Sequence, residues 1–243
     1  MISKLFLAII LLFSIAQTST ACDYKEHTIT YSPHELDSDI CDSIKNTIKW
    51  FEEKYELPML EISIEIQDTV YITMYNSENE PVSQVPVLGM YNALTNLIFM
   101  SDINSEYTKS RTVWLQDPEN YASGLPITKE LWLSVIVHEV THNILQALWE
   151  KENPNLAKTV KFIDGGLHEF VAYIVQISLM DETSRQQVLA QYPTATGFRT
   201  PTRMNSILHQ IHPHKFGVNS YLSNHFWIDN IIKGKYTNFI VNL

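Results

Sequence analysis

The sequence predicts a mixed α+β fold, in which a small, mostly antiparallel sheet precedes a mostly helical half. Strand-like segments fall between residues 57 and 102, and the clearest of them, at 61–67, alternates strictly between apolar and polar residues, as half-buried strands do. A long segment at 128–152 is apolar on nearly every side, which is typical of a helix at the centre of a domain. Further helical segments, separated by loops, occupy 166–243.

The composition is that of one folded domain. The chain has 243 residues, of which 45% are hydrophobic and 18% charged, so it can bury a core and is not a disordered protein. It contains no internal repeat and no Gly/Ser-rich linker, which predicts a single domain over residues 22–243. The net charge of -10 is unfavourable for general binding to nucleic acid, so we expect no nucleic-acid partner.

The first 21 residues have the order of a secretory signal peptide. Lys4 supplies a positive charge, Leu5–Ile15 is a nearly unbroken apolar run, and small and polar residues follow up to Ala21. The apolar run is too short to span a bilayer comfortably, so we predict cleavage and no stable membrane insertion afterwards. Cleavage can follow Ala16 or Ala21, and we favour Ala21 because Ser19 lies two places before it. The mature protein is then secreted or periplasmic. An uncleaved N-terminal anchor is the alternative.

Two cysteines, Cys22 and Cys41, remain in the exported chain. Because exported proteins meet an oxidising environment, we predict a disulfide between them. The alternative is lipid attachment to Cys22, which lies where the signal peptide would be cut. Two free thiols are the third interpretation.

The N-terminal elements follow from their periodicity. Residues 36–55 place isoleucine and phenylalanine side chains on one stripe of a helix, and Pro58 follows its end. Beyond the strand at 61–67, three more strands are predicted at 70–75, 85–91 and 97–100.

The central helix has recognisable ends in the sequence. Thr128 is a suitable N-cap, and Asn153-Pro154 stops the helix. A second helix follows Gly165-Gly166, a pair that indicates a tight backbone approach, and runs to Met180. Helices are also predicted at 183–191, 202–209 and 218–232.

The central helix contains the segment His138-Glu139-Val140-Thr141-His142. Histidines four residues apart project from one face of a helix, so their ring nitrogens can meet at one point, and Glu139 is offset from them by about 100°. This spacing is the H-E-x-x-H zinc signature. Buried ionisable groups require partners or a metal, and the alternative is a pair of core histidines bonded to the backbone.

A catalytic zinc site uses three protein ligands and a water, so we expect a third ligand outside the motif. Glu169 is the first choice, because it lies on the less apolar stripe of the next helix. His168 and Asp164 are the alternatives. Without a metal, Glu169 would be a surface glutamate on an ordinary helix.

These features resemble those of zincin metallopeptidases of the gluzincin type, the group that includes thermolysin. The resemblance covers roughly residues 60–180. It rests on the motif, on the following helix with Glu169, and on residues 89–100, which resemble the sheet edge that lies over the active site in such folds. In that group a Glu-Gly pair often begins the second helix. Here Gly165-Gly166 stands in its place, and this leaves the third ligand open.

The resemblance implies a zincin-like fold with one Zn²⁺ per chain, held by His138, His142 and Glu169. It implies a hydrolase in which Glu139, as the general base, takes the proton of the attacking water and passes it to the leaving amine. The implied partner is a peptide or protein substrate. The oligomeric state is not predicted.

A hydrogen-bond donor near the metal is expected to stabilise the tetrahedral oxyanion. Tyr173, one turn after Glu169, is a candidate, and the others are Tyr221, His209, His212, His214 and His225. Three histidines at 209–214 allow a second metal site or a loop that contributes one residue to the cleft. We favour the loop, because Pro213 is unfavourable inside a regular helix.

The sequence therefore predicts an exported zinc-dependent metallopeptidase. One alternative is a catalytically weak or inactive zincin-fold binding protein of the cell envelope, and another is a hydrolase acting on a different bond. Glu139 favours an enzyme, because a structural zinc site does not need this carboxylate. Gly165, where the family often has a glutamate, favours the binding protein.

Overall fold

In the structure, a computed structural model, the described residues are 19–75, 80–115, 124–158, 165–223 and 225–234. Residues 1–18 of the predicted signal peptide lie outside them, as does Asp164. Within this described part, no helix combines the length and the apolar character that crossing a bilayer requires.

The structure confirms the α+β fold class. Its strands are β1 Thr20–Ala21, β2 Thr28–Tyr31, β3 Glu61–Gln67, β4 Val70–Tyr75, β5 Pro81–Val87, β6 Gly89–Asn92, β7 Leu97–Ser101, β8 Thr112–Val113 and β9 Leu125–Pro126. Its helices are α1 Asp37–Glu52, α2 Glu106–Lys109, α3 Lys129–Glu152, α4 Gly165–Leu179, α5 Glu182–Ala190, α6 Ser206–Ile211, α7 Pro213–Tyr221 and α8 Trp227–Ile232, with a short 3-10 helix at Pro201–Arg203. Helices α1, α3, α4 and α5 lie within three residues of their predicted bounds.

The large sheet has the order β1-β2-β3-β7-β6 and is mixed. β1 lies within the predicted signal peptide, so the predicted mature chain retains the strands β2-β3-β7-β6 of this sheet. Its outer strands β1 and β6 pair antiparallel with their neighbours, whereas the central pairs β2–β3 and β3–β7 are parallel. A parallel pair needs a crossover connection, and α1 provides it between β2 and β3. The parallel centre was not predicted, because the alternation of side chains shows which face is buried and not the strand direction.

The predicted strand at 85–91 is two strands in the structure. β5 ends at Val87 and pairs with β4 in a separate hairpin, whereas β6 begins at Gly89 and pairs with β7 in the large sheet. The apolar pattern shows that both parts are extended, but it does not show that the chain leaves one sheet for another at Leu88.

Pro213 lies where the prediction placed a loop. α6 ends at Ile211, and α7 begins at Pro213. Proline at the first position of a helix breaks no hydrogen bond, because its missing N–H would be unpaired there in any case. The predicted loop is therefore wrong, and the predicted helix at 218–232 is replaced by α7 and α8.

α3 lies at the centre of the core, between α1, α4 and the large sheet. Ile136 and Val140 in its middle are fully buried, as are Trp132 and Trp149. The indole Nε1 of Trp132 donates a hydrogen bond of 2.8 Å to the carbonyl oxygen of Ser101 at the end of β7. This bond ties the sheet to the helix that carries the H-E-x-x-H motif.

Cys22 and Cys41 form a disulfide, with their Cα atoms 5.7 Å apart. It joins the segment between β1 and β2 to α1. A lipid on Cys22 would use the same sulfur atom, so the disulfide and the lipid exclude each other.

Removal of this disulfide is expected to lower the free energy of unfolding by about 3 kcal/mol, because the link closes a loop with a sequence separation of 19. Urea unfolding of the mature chain and of the Cys22→Ala/Cys41→Ala variant measures the effect. A reducing agent should destabilise the wild type and leave the variant unchanged. If a reducing agent did not change the free energy of unfolding of the wild type, this result would contradict the disulfide.

Candidate metal centre

Three side chains from two helices converge beside the sheet. His138 and His142 project from one face of α3, and Glu169 projects from α4, which packs along α3. Their ligand atoms all lie within 4.8 Å of one another. Glu169 Oε2 is 3.0 Å from His138 Nε2, and Glu169 Oε1 is 3.6 Å from His142 Nε2. These are the three residues that the sequence analysis named as zinc ligands, and we call them the ligand cluster.

A chain of hydrogen bonds orients the ring of His138. Ser134 Oγ donates its proton to the Leu131 carbonyl at 2.7 Å, so it can only accept from Gln176 Nε2, which lies at 3.1 Å. The other end of this amide, Gln176 Oε1, therefore faces His138 Nδ1 at 3.0 Å. When the His138 ring is neutral, its proton lies on Nδ1, and Nε2, which faces Glu169, has a free lone pair.

This arrangement fits a bound cation. The unprotonated Nε2 of a neutral His138 and the Oε2 of Glu169 are both electron-rich, and at 3.0 Å their contact is repulsive unless a proton or a metal ion lies beside them. Two imidazoles and one carboxylate are also the donor set of a catalytic zinc site with three protein ligands. A partner such as Gln176 on the far ring nitrogen is typical of zinc-binding histidines. The residues therefore fit Zn²⁺.

The ring of His142 stacks against two others. The His168 ring lies nearly parallel to it with centroids 5.6 Å apart, and the Tyr91 ring of β6 with centroids 6.4 Å apart. His168 does not belong to the ligand cluster. The geometry thus places His168 as a packing partner of His142 and brings Glu169 to the third position. Asp164, the other alternative, lies outside the described residues.

Glu139 is buried beside the ligand cluster without belonging to it. The backbone N–H of Tyr91 on β6 donates a hydrogen bond to its carboxylate. Gly89 permits this close approach of β6, because a Cβ there would lie only 2.9 Å from Cγ of Glu139. Burial raises the pKa of Glu139 to about 7, against the attraction of His138. The carboxylate is therefore enclosed between the helix and the edge strand.

Burial and neighbouring charges shift the pKa values of the ionisable groups in the site. Burial acts to raise the pKa of Glu169, but the neighbouring imidazoles of His142 and His138 outweigh it and hold this pKa well below its ordinary value. Burial lowers the pKa of His142 to about 3 and that of His168 to about 4. Burial also acts to lower the pKa of His138, but Glu169 raises it above its ordinary value. Neutral imidazole is the form that binds metal ions.

A cavity of about 170 Å³ opens at the site. Its lining includes Gly89, Met90, Tyr91, Glu139, His142 and Glu169. The first three belong to β6, the last strand of the large sheet in the described part of the chain. The polar groups of the helices therefore meet the edge of a sheet in one cavity.

Two of the predicted oxyanion donors lie at the ligand cluster. His209 on α6 places its Nε2 3.4 Å from Oε2 of Glu169. The Tyr173 ring packs edge-on against the first histidine of the motif, with centroids 4.7 Å apart, and lies 5.9 Å from the His209 ring. His225 is instead bonded to Tyr221: its Nε2 lies 3.0 Å from the backbone carbonyl oxygen of Tyr221.

α6 reaches the site because its N-terminal segment packs closely on the start of α4. A Cβ at Gly166 would lie 2.5 Å from the carbonyl oxygen of Met204, so no other residue fits at this position without a shift of the backbone. This is the close approach that the glycine pair predicts, and it brings His209 beside α4.

The three histidines at 209–214 face different surroundings. His209 faces the ligand cluster, and His212 is exposed. His214 Nδ1 accepts a hydrogen bond of 3.1 Å from the backbone of Leu115. The described residues contain one convergent group of metal-binding side chains, the cluster on α3 and α4, so these three histidines do not form a second one. One of them, His209, reaches the ligand cluster, and it does so from a helix and not from a loop.

Gln176 and Ser134 are two residues of the site whose roles were not predicted from the sequence. Gln176 lies two helical turns after Glu169 on the same face of α4, and Ser134 lies one turn before His138 on α3. Both are buried polar residues on apolar helices. Their helical spacing from the predicted ligands is the signal by which the sequence could have revealed them.

One protein family matches most of the chain. No curated protein and no solved structure matches it. Residues 28–237, which include the ligand cluster, Glu139 and β6, match one family over far more than half of the chain. The protein therefore belongs to the family described as "Family of unknown function (DUF6639)".

Proposed function

We propose that this protein is a zinc-dependent peptidase with a zincin-like site of the gluzincin type. The proposal is carried by one observation: Glu139 is a buried carboxylate that lies beside the ligand cluster without belonging to it. A purely structural metal site does not need such a group, whereas a site that activates water does.

His138, His142 and Glu169 would hold one Zn²⁺ per chain. Zinc, when bound, lowers the pKa of water towards neutrality and polarises a carbonyl group. Gln176 supports this role, because its bond to Nδ1 keeps Nε2 of His138 directed at the cluster. Both helices that carry the ligands are packed in the core, which keeps the donor atoms in place.

Glu139 would act as the general base. Its carboxylate takes a proton from the attacking water and then gives it to the nitrogen of the leaving amine. Two contacts support this role: the N–H of Tyr91 orients the carboxylate, and the carboxylate shares the cavity with His142.

Tyr173 would stabilise the oxyanion by donating a hydrogen bond from its hydroxyl group, and His209 is the second donor. The positions of both side chains support this role. The Tyr173 ring packs on the ring of His138, and the His209 imidazole lies 3.4 Å from Glu169.

The proposed substrate is an extended peptide or protein segment. β6 ends the large sheet, and three of its residues line the cavity. An edge strand can bind an extended peptide through main-chain hydrogen bonds. A substrate bound to β6 in this way would lie along the cavity.

Export to a secreted or periplasmic location belongs to the same proposal. The signal-like residues 1–21 support it, and so does the disulfide between Cys22 and Cys41, since disulfides persist in oxidising compartments.

Metal content and peptide cleavage test the proposal together. Elemental mass spectrometry of the purified mature chain should find about one zinc per chain, and the wild type should cleave members of a mixed peptide library. His142→Ala should lose both properties, whereas His225→Ala, which changes a histidine outside the cluster, should keep them. Zinc without cleavage would favour the binding protein of the cell envelope. A chain that takes up no zinc would contradict the metal centre.

A further inference from the structure

A second, larger cavity of about 660 Å³ lies between the segment 194–200 and the helices α6 and α7. Three exposed cationic side chains, Arg199, Arg203 and Lys215, line it, together with His212. Its lining contains no carboxylate. We call this cavity the basic cleft.

Among the described residues, no carboxylate pairs with the cations of the basic cleft. Residues 183–228 contain neither aspartate nor glutamate, although the whole chain has a net charge of -10. None of Arg199, Arg203 and Lys215 forms an ion pair with another described residue. The described part of the chain therefore gathers three cations without an ion-pair partner at one concave surface, which favours an anionic ligand.

The floor of the basic cleft is apolar. Phe198 and Phe216 pack there with ring centroids 5.1 Å apart, and Leu208 lies beside them. A ligand that fits both features carries apolar groups together with negative charge. A peptide segment that combines acidic and aromatic residues has this chemistry. A single-stranded nucleic acid also combines negative charge with rings that stack on aromatic side chains, but the net charge of -10 of the whole chain disfavours it.

The wall of the basic cleft also supports the metal centre. Leu208 lines the cleft, and the next residue, His209, faces Glu169. Phe216 lines the cleft as well, and its ring lies 5.5 Å from the His209 ring. The basic cleft and the ligand cluster therefore lie against the same helices, α6 and α7.

We propose that the basic cleft is an exosite that binds an acidic segment of the peptide substrate. This inference rests on the proposed peptidase function, and it assigns the substrate class: polypeptides with a run of aspartate or glutamate beside the cleaved bond. Binding at the exosite would raise the local concentration of such substrates at the metal centre.

Direct binding to the full mature chain tests this inference without requiring cleavage. The probe is a fluorescein-labelled peptide rich in glutamate and phenylalanine, and its partner is the same peptide with glutamine in place of every glutamate. Fluorescence anisotropy with the zinc-loaded Glu139→Gln variant should show binding of the acidic probe about tenfold tighter than the neutral one. Raising the ionic strength should remove most of this difference.

Charge reversal locates the binding site. Arg199→Glu/Arg203→Glu in the Glu139→Gln background should weaken binding of the acidic probe by about tenfold. Lys49→Glu, which reverses an exposed charge on α1, should change it less than twofold. Equal melting temperatures show that the variants are folded, and Arg199→Gln/Arg203→Gln gives the same trend if the double reversal is not folded.

The outcomes separate this inference from the proposed function. Selective binding of the acidic probe that depends on Arg199 and Arg203 supports the exosite, even if no peptide is cleaved. Cleavage of peptides without any preference for acidic segments, together with equal binding of both probes, overturns the exosite and leaves the peptidase. Equal affinity for a single-stranded oligonucleotide of the same charge overturns the assignment to peptides.

Discussion

The Glu139→Gln variant is expected to cleave peptides about 100- to 10,000-fold more slowly than the wild type while keeping its zinc. Glutamine is nearly the same size and can still accept the hydrogen bond from the Tyr91 N–H, but its amide cannot take a proton from water. Glu139 lies outside the ligand cluster, so this substitution leaves His138, His142 and Glu169 in place. Steady-state kcat/KM and zinc content, measured on the same preparation, check both parts.

Glu130→Gln is the matched control for this experiment. Glu130 lies in the first turn of the same helix and is exposed, so its substitution should change neither the rate nor the zinc content. A Glu139→Gln variant that has lost its zinc would show that Glu139 is a ligand. An unchanged rate would remove the general base from the proposal.

The second large effect is expected at Glu169. Glu169→Gln should weaken zinc affinity more than about 100-fold, because the loss of an outer partner of a metal ligand already costs 10- to 100-fold, and a ligand contributes more. The carboxylate also supplies the negative charge of the ligand cluster, between His138 and His142. Competition with a chromophoric zinc chelator measures the affinity.

His168→Phe is the control that separates ligation from packing. Phenylalanine keeps an aromatic ring stacked against His142 but has no ligand nitrogen. We expect this variant to bind zinc within about tenfold of the wild type, since it changes a neighbour of a ligand and no ligand. A larger loss at His168 than at Glu169 would exchange the roles of these two residues.

Features that depend on near neighbours could be predicted from the sequence. Thr128 was expected to begin α3, and in the structure its hydroxyl accepts a hydrogen bond of 3.2 Å from the N–H of Leu131. His138 and His142 lie on one face of α3 because a spacing of four residues brings side chains together in any α-helix. The buried stripe of α1 followed in the same way from its periodicity.

Features that depend on distant segments could not be predicted in the same way. His168 and Glu169 are adjacent in sequence but point in directions about 100° apart on α4, so the packing of α4 on α3 decides which of them reaches His138. The position of His209 depends on the contact between Gly166 and Met204, which no local pattern encodes. Pro213 was misjudged because the same residue can end one helix and begin another.

By itself, the sequence determined the fold class, the helix that carries the H-E-x-x-H motif and the common face of its two histidines, because each depends on residues within one or two turns. Only the tertiary structure decided that Glu169 completes the ligand cluster, that Gln176 orients His138, that the centre of the large sheet is parallel and that the basic cleft forms behind α6. These features arise where segments far apart in the chain pack together, and their geometry is set by the whole core.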